Sequence, residues 1–295
     1  MRTAYLFPGQ GSQKVGMGRE YYETNTQFSD LVDQANEILG FDLKSIMFEG
    51  PAEKLKQTEF TQPAIFTHSV ALYQTLDAQP DMVAGHSLGE FSALVACNTL
   101  SFSEALKAVH QRGTLMQQAG EENEGTMAAI IGMEDEEVKA ICQQASEVVG
   151  KEVTPANFNC PGQLVIAGYV EAVKKAVEIA KDQGCRLARL LPVSGAFHSS
   201  LMEPAYEGLK KVLEKLSFNE PDCPIYSNYT GSSTKDIGEI RTNLLNQLLN
   251  PVLWTQTVLN MHQNGATKFV EVGPGNVLQG LVKRTLEDVE IEGYQ

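Results

Sequence analysis

The sequence predicts an α/β protein in which a large body is interrupted by a smaller inserted unit. Up to about residue 120, short apolar strands alternate with amphipathic helices, a pattern typical of layered α/β architectures. Between residues 125 and 193 the predicted order becomes βαββαβ, which is the order of a ferredoxin-like unit. Beyond His198 the first pattern resumes. We therefore expect a body formed by residues 1–124 and 194–295, with a ferredoxin-like subdomain inserted at residues 125–193.

The N-terminal part of the body contains several local signals. Residues 4–7 form a short apolar strand, and apolar residues between positions 31 and 39 share one helical face. Residues 61–72 indicate a buried helix with a proline in its first turn. Residues 101–104, Ser-Phe-Ser-Glu, have the spacing of a capping box ahead of another helix. The acidic, glycine-bounded residues 120–125 predict a linker that leads into the insert.

The remaining elements follow from apolar periodicity and turn residues. In the insert we predict strands at 126–131, 153–159, 164–168 and 186–192, with helices at 135–148 and 170–183. In the C-terminal part we predict helices at 201–216 and 237–249, a further segment at 254–263, strands at 223–228 and 268–272, and a final helix beyond Gly275.

Composition and charge exclude several classes of function. A formal net charge of −14 argues against general affinity for nucleic acid. The five cysteines and five histidines lack metal-ligand spacing, so no metal site is expected. No apolar run approaches the roughly 18 residues that span a bilayer, and no signal-peptide pattern opens the chain, so we expect a cytoplasmic protein without membrane contact. Four local basic clusters remain as candidates for binding an anionic partner: Lys174-Lys175, Arg186 with Arg189, Lys210-Lys211 and Lys283-Arg284.

The most informative stretch is Gly85-His86-Ser87-Leu88-Gly89, which follows a short apolar run and opens a helical pattern. A strand that enters a helix through a sharp Gly-x-Ser-x-Gly turn is a nucleophile elbow. The turn exposes the serine hydroxyl and directs the first helical amides at the group that it attacks. Ser87 is therefore the candidate nucleophile, whereas His86, beside the elbow serine, points away and is interpreted as structural.

A serine hydroxyl needs a base within hydrogen-bond reach, and His198 is the best candidate. It lies in a loop of small residues just ahead of a helix, where an imidazole can project into a cleft. No acidic residue is evident between serine and histidine, which departs from the usual hydrolase order. We expect a backbone carbonyl to orient the imidazole instead of a carboxylate.

Two further positions complete the candidate site. Gln10 lies between glycines after the first strand, so its backbone amide could pair with that of Leu88 as an oxyanion hole. Arg112 lies on a helix with few other charges. Its pattern leaves two readings open: a surface arginine that snorkels to water, or a buried clamp for a carboxylate.

Taken together, these residues closely resemble the malonyl-CoA:acyl-carrier-protein transacylases of type II fatty-acid synthesis. The resemblance covers almost the whole chain. Its motifs are Phe7-Pro8-Gly9-Gln10-Gly11-Ser12-Gln13, Gly85 to Glu90, Gln111-Arg112-Gly113, Asn159-Cys160-Pro161-Gly162-Gln163, Phe197-His198, Asn250-Pro251-Val252 with Trp254, and Glu271 to Gly275. The resemblance implies a hydrolase-like α/β body that carries a ferredoxin-like insert.

It also implies roles for individual residues. Ser87 would take the malonyl group from CoA as an ester, with His198 acting as base and then as acid. Gln10 and Leu88 would supply the oxyanion amides, and Arg112 would clamp the free malonyl carboxylate.

Two positions near these residues bear on the selection of the acyl group. Phe197, before the histidine, resembles the pattern of malonyl-selective acyltransferases. Leu253 departs from the Gln or Arg that many relatives carry in the Pro-Val-x-Trp motif. That departure leaves open any side-chain contact with substrate at this position.

The resemblance implies malonyl-CoA and acyl carrier protein as partners, and no cofactor, because CoA and phosphopantetheine enter as substrates. We expect a monomer. Carrier proteins are typically acidic, so we expect docking on the side of the insert from Lys174 to Arg189. Three alternatives stay open: an acyltransferase that serves a polyketide assembly line in trans, an acyl-thioester hydrolase or esterase, and a non-catalytic module that binds carrier protein.

Overall fold

Two β-sheets organise the computed structural model, which describes residues 2–77 and 79–295; Met1 and Ala78, within the predicted body, lie outside the described residues. Over these residues the strands are β1 Arg2–Phe7, β2 Met82–Gly85, β3 Gly125–Ile131, β4 Val153–Cys160, β5 Gln163–Tyr169, β6 Leu187–Leu190, β7 Ile225–Tyr226, β8 Ser233–Thr234, β9 Ala266–Val272 and β10 Glu290–Tyr294.

The helices of the described residues lie on and between these sheets. They are α1 Arg19–Thr24, α2 Thr26–Leu39, α3 Leu43–Phe48, α4 Ala52–Leu55, α5 Thr58–Gln74, α6 Gly89–Ala96, α7 Phe102–Glu122, α8 Asp135–Val149, α9 Val170–Asp182, α10 Glu203–Glu214, α11 Ile237–Asn246, α12 Trp254–Gln263 and α13 Val277–Thr285, with a 3₁₀ turn at Ser200–Met202. In the part of the chain that the structure describes, no helix combines the length and apolar character needed to cross a membrane.

The larger sheet has the strand order β10-β9-β1-β2-β7-β8. Its neighbouring strands run parallel except at β8, which is antiparallel to β7. Because β1 and β2 are parallel and Phe7 pairs with Gly85, the loops that follow both strands leave the same edge of the sheet. This register brings the Gln10 loop next to the turn that contains Ser87.

The smaller sheet has the order β4-β5-β3-β6 with antiparallel neighbours, as in a ferredoxin-like unit, and the predicted fold class is confirmed. Successive side chains of a strand face opposite sides, and β3 uses both. Ala128 and Ile130 pack under α8 and α9, whereas Met127 belongs to the core of the body. β4 is also tied to the body by backbone hydrogen bonds of 2.9 Å on either side of Val252.

The linker predicted at residues 120–125 is wrong in its first half, because α7 continues to Glu122. Gly120 serves a close approach between chain segments instead of ending the helix. A Cβ built on Gly120 would lie 2.4 Å from the carbonyl oxygen of Ser194. The chain therefore enters and leaves the insert at adjacent points.

The predicted place of Pro63 in the first turn of its helix is also wrong, because α5 begins at Thr58. Proline has no amide to donate to the carbonyl of Glu59, four residues earlier. The structure places a ring nitrogen of His110 3.4 Å from that carbonyl oxygen. A partner from α7 thus occupies the site that the missing amide leaves open.

The C-terminal elements are shorter than predicted. The helix expected at 201–216 divides into a 3₁₀ turn and α10, and the strand expected at 223–228 is limited to β7. The helix expected at 237–249 ends at Asn246, so the following Gln247 has a backbone carbonyl outside the helix. The edge strand β10 was not predicted at all.

His68 is a buried histidine on α5. It is 1% exposed, its ring lies edge-on to Phe28 with centroids 5.6 Å apart, and its Nδ1 has no partner among the described residues. Burial lowers the pKa of His68 to about 3. Between about pH 3 and pH 6.5 this imidazole is therefore neutral in the folded protein but protonated in the unfolded chain.

We expect His68→Leu to reduce the acid sensitivity of folding. Between the folded pKa and the ordinary value near 6.5 the unfolded state binds more protons, so stability is present at higher pH and is lost as the pH falls below about 6.5. At about pH 5.5 the free energy of unfolding of the wild type is lower by on the order of 1 kcal/mol than at neutral pH, as a result of this one histidine. Urea unfolding at both pH values measures the loss, and equal losses in wild type and variant would contradict the assignment.

Candidate active site

Ser87 lies at the tip of the tight turn between β2 and α6. Its φ of +51° is in the left-handed region, as a strained elbow requires. The flanking glycines are needed because the backbone passes so closely. A Cβ on Gly85 would lie 1.8 Å from the carbonyl carbon of Gly89, and a Cβ on Gly89 would lie 2.1 Å from the Phe7 oxygen.

The Ser87 hydroxyl meets His198 across the cleft. Ser87 Oγ lies 2.9 Å from His198 Nε2, and His198 Nδ1 lies 2.7 Å from the backbone oxygen of Gln247. A carbonyl only accepts, so Nδ1 carries the hydrogen and Nε2 is left to accept from the serine. The acceptor on Nδ1 is thus a carbonyl and not a carboxylate, and it is available because α11 ends one residue earlier.

The electrostatics of the site keep His198 neutral. Burial, together with the nearby charge of Arg112, lowers its pKa to about 3, while the bond to the Gln247 carbonyl acts in the opposite direction. At neutral pH the imidazole is therefore unprotonated and able to accept a proton.

The two amides expected to form an oxyanion hole both border the cleft. Gln10 and Leu88 line it on the side where β1 and β2 end. Among the described residues, neither backbone amide donates a hydrogen bond to another protein group. The Gln10 side chain is turned toward Thr58, with Nε2 3.4 Å from its Oγ1. Both amides therefore remain available to a ligand.

Arg112 is buried beside the serine, so it is not a surface arginine that snorkels to water. It is 1% exposed, and one terminal nitrogen donates to Ser87 Oγ at 3.1 Å. The guanidinium also donates hydrogen bonds to the side-chain oxygens of Gln62 and Gln247, each at 2.8 Å. Within the described residues it forms no ion pair with a carboxylate. Burial lowers its pKa only to about 10, so it stays charged at neutral pH.

The cleft above these groups has a volume of about 260 Å³ and runs between the body and the insert. Phe197 lines it and is 6% exposed. The insert contributes apolar side chains from β3, β5 and the segment after β6: Met127, Val165, Leu191 and Val193. Leu253 is not among the lining residues; it precedes α12 and donates its amide to the Asn228 carbonyl at 2.9 Å.

His86 also lies at the cleft, directed away from Ser87 as expected. Its Nε2 is 2.9 Å from the side-chain oxygen of Asn159, and its ring is tilted against Trp254 with centroids 5.4 Å apart. Burial lowers the pKa of His86, so this ring too is neutral. It joins the elbow to β4 of the insert.

Several polar residues of the site were missed from the sequence. Gln62 and Gln247 hold Arg112, and Asn228 accepts from the Ser87 amide at 2.6 Å. Each lies far from Ser87 in the chain, and none stands in a pattern that announces chemistry. Glu90 ends the elbow motif, but no role was predicted for it from the sequence; the structure shows that it is only 2% exposed. A carboxylate directly after the Gly-x-Ser-x-Gly turn, on an otherwise apolar helix, was the available signal.

Comparisons with known proteins identify the family of the chain. The acyl transferase domain family matches residues 4–294. The malonyl CoA-acyl carrier protein transacylases of Bacillus subtilis and Escherichia coli K12 are each 44% identical, over 96% of this chain and 90% and 93% of their own lengths.

Solved structures give the same result. An acyl carrier protein S-malonyltransferase from Vibrio cholerae has a TM-score of 0.95 at 42% identity, covering 100% of this chain and 97% of that one. A malonyl-transacylase in complex with a type II PKS acyl-carrier protein has a TM-score of 0.95 at 39% identity, covering 99% and 95%. The chain therefore belongs to the malonyl CoA-acyl carrier protein transacylase family of acyl transferases.

Proposed function

We propose that this protein transfers a malonyl group from malonyl-CoA to the phosphopantetheine thiol of acyl carrier protein, supplying fatty-acid synthesis. The observation that carries the proposal is the buried guanidinium of Arg112. It lies within hydrogen-bond reach of the Ser87 hydroxyl and lacks a carboxylate partner in the described residues. A substrate with a free carboxylate one carbon beyond its thioester supplies that partner.

In the loading step, His198 Nε2 takes the proton of Ser87 as Oγ attacks the thioester carbonyl. The developing oxyanion is held by the backbone amides of Gln10 and Leu88, worth about 10²–10³ in rate for each donor. The carbon–sulfur bond then breaks, and His198 returns its proton to the sulfur of CoA. The product is a malonyl ester on Ser87.

Arg112 contributes selectivity as well as binding. In the free protein it donates to Ser87 Oγ and so occupies a lone pair of the nucleophile. A malonyl carboxylate draws the guanidinium into a bidentate pair and releases the serine. An acetyl group offers no such exchange, and the buried charge would stay without its partner.

In the transfer step, CoA leaves and the carrier-protein thiol enters the same cleft. His198 takes the thiol proton, the thiolate attacks the ester, and the proton returns to Ser87. The reaction is ping-pong, so the ester must survive the exchange of substrates. We propose that the insert, as a unit of residues 125–193 over a body of residues 1–124 and 194–295, keeps water from this ester.

A second pathway is supported by one observation. A solved structure similar to this chain holds a type II PKS acyl-carrier protein, so a carrier of that class is the alternative acceptor. A hydrolase that uses the same Ser87 and His198 gains nothing from a buried Arg112.

We further propose that the protein acts as a monomer in the cytoplasm, since one chain supplies every group of the site and all five cysteines are free.

Loading can be tested by intact-protein mass spectrometry after brief incubation with equal malonyl-CoA and acetyl-CoA. We expect a malonyl adduct in the wild type and none in Ser87→Ala. Arg112→Ala should lower kcat/KM for malonyl-CoA by about 100-fold or more, because the carboxylate loses its charged partner. An acetyl adduct of equal size in the wild type would remove Arg112 as the selector. Release of free CoA without an adduct would favour a hydrolase.

The state of His198 can be tested through the reaction of Ser87 with phenylmethylsulfonyl fluoride. Because burial lowers the pKa of His198 to about 3, the base stays unprotonated through the mildly acidic range. We expect the rate of inactivation to be nearly constant from about pH 8 to pH 5. His198→Ala provides the background rate. A tenfold fall per pH unit below about 6.5 would indicate an unshifted imidazole instead.

Among the basic residues from Lys174 to Arg189 of the insert, two are the better candidates for docking the carrier protein. Lys175 pairs with Glu178 at 3.0 Å, whereas Arg186 and Arg189 are exposed and form no ion pair in the described residues. Arg189 lies on β6, two residues before Leu191, which lines the cleft. We propose that this pair of arginines receives the acidic carrier protein.

The double variant Arg186→Glu/Arg189→Glu should raise KM for carrier protein about tenfold, because charge complementarity governs the encounter, and should leave malonyl loading unchanged. Lys210→Glu/Lys211→Glu on α10 is the matched control, since it makes the same change in charge away from the cleft-lining residues. Steady-state kinetics with varied carrier protein measures both. Equal KM values in the two double variants would disprove the docking surface.

A further inference from the structure

Glu90 is a buried carboxylate that the proposed reaction does not use. Among the described residues the buried acidic side chains are Glu90 and Glu271. Glu271 accepts from the first amides of α13, Leu278 and Gln279, at 3.1 Å each. Glu90 lies instead in the first turn of α6, three residues after the nucleophile, and accepts from the Asn228 amide at 3.3 Å and from the side chain of Gln247.

Gln247 connects this carboxylate to Arg112. Its side-chain nitrogen donates to Glu90 and, at 3.0 Å, to the Ser87 carbonyl, while its side-chain oxygen accepts from Arg112 at 2.8 Å. A primary amide between a carboxylate and a guanidinium has one favourable orientation, because the reverse would oppose like partial charges. The backbone oxygen of the same residue holds His198. Glu90, Arg112 and the base are therefore joined through one glutamine.

A buried guanidinium without a counter-ion is strongly unfavourable, and Glu90 is the nearby group that can balance it. A malonyl carboxylate on Arg112 would then bring a second negative charge into the same enclosed region. We propose that Glu90 is the resident counter-ion of Arg112 and takes up a proton from solvent when the substrate carboxylate arrives. This inference rests on the proposed function, since it requires a carboxylate ligand at Arg112.

The other titratable groups around Glu90 do not change charge near neutral pH. Burial raises the pKa of Glu90 to about 7, while hydrogen bonds and the charge of Arg112 act in the opposite direction. Burial lowers the pKa values of the histidines on the surrounding segments, and raises those of Tyr5 and Cys97, so these groups stay uncharged: His68 on α5, His86 in the elbow, His198 in the loop before the 3₁₀ turn, Tyr5 on β1 and Cys97 after α6. Arg112 on α7 stays positive.

The direction of the pH effect follows. Below the pKa of Glu90 the carboxyl is already neutral, so Arg112 is fully available to the substrate carboxylate. Above it, binding must first protonate Glu90, so affinity for malonyl-CoA falls as the pH rises. An uncharged acyl group brings no second negative charge to Arg112, so its binding does not require protonation of Glu90. Acetyl-CoA is the reference for the pH dependence of binding, because it carries the same CoA phosphates as malonyl-CoA.

The test is calorimetric titration of the Ser87→Ala protein, which cannot turn over, with malonyl-CoA and with acetyl-CoA. Between about pH 6 and pH 8 we expect the dissociation constant of malonyl-CoA to rise about five- to tenfold relative to that of acetyl-CoA. Near neutral pH, repeating the titration in two buffers of different ionisation enthalpy should show a fraction of a proton taken up with malonyl-CoA alone. A constant ratio without proton uptake overturns the proposal before any change at Glu90 is made.

Variants assign the effect to Glu90. In the Ser87→Ala background, Glu90→Gln should abolish both the pH dependence and the proton uptake. Glu90→Asp, which keeps an ionisable carboxyl, should retain them. Glu271→Gln is the matched control, because it neutralises the other buried carboxylate away from Arg112, and it should also retain them. Survival of the pH dependence in Glu90→Gln would disprove the assignment. Failure of the proposed function is a separate result, namely the absence of a malonyl adduct on intact Ser87.

Discussion

Burying the charge of Arg112 is the constraint on which most of the site depends. The guanidinium is 1% exposed, and its hydrogen-bond partners are two glutamine oxygens and the serine hydroxyl, all of them neutral. Hydrogen bonds to neutral acceptors do not cancel the charge, and the Nε of Arg112 has no hydrogen-bond partner among the described residues. The same charge lowers the pKa of His198 and keeps the pKa of Glu90 from rising further. The protonation states of His198 and Glu90 are therefore coupled to the proposed binding of substrate through one side chain.

Gln247 makes that coupling geometric as well as electrostatic. Its backbone oxygen orients the imidazole, and its side chain spans Arg112 and Glu90. It can do both because α11 ends at Asn246, which frees the next carbonyl from the helical ladder. A displacement of this helix end would move the base and the arginine together. The helix terminus is thus part of the proposed catalytic geometry although it supplies no reacting atom.

The parts of the site that were predictable from the sequence are those encoded by local backbone requirements. The elbow around Ser87 needs glycine on both sides, and the Gln10 loop ends a strand that pairs in parallel with β2. His198 could be selected because small residues surround it. These features leave marks within a few residues of the functional group.

The missed residues depend on contacts between distant segments. Gln62, Gln247 and Asn228 become meaningful only when α5, α11 and the end of β7 converge on the elbow. Gly120 suggested the end of a helix, yet it permits the close approach of Ser194 and α7 continues through it.

The attachment of the insert has a mechanical consequence. The chain enters and leaves it at one neck, and β4 is clasped to the body by the two backbone bonds at Val252. Moving the insert away from the body would break these two hydrogen bonds and would remove Met127 from the apolar core of the body.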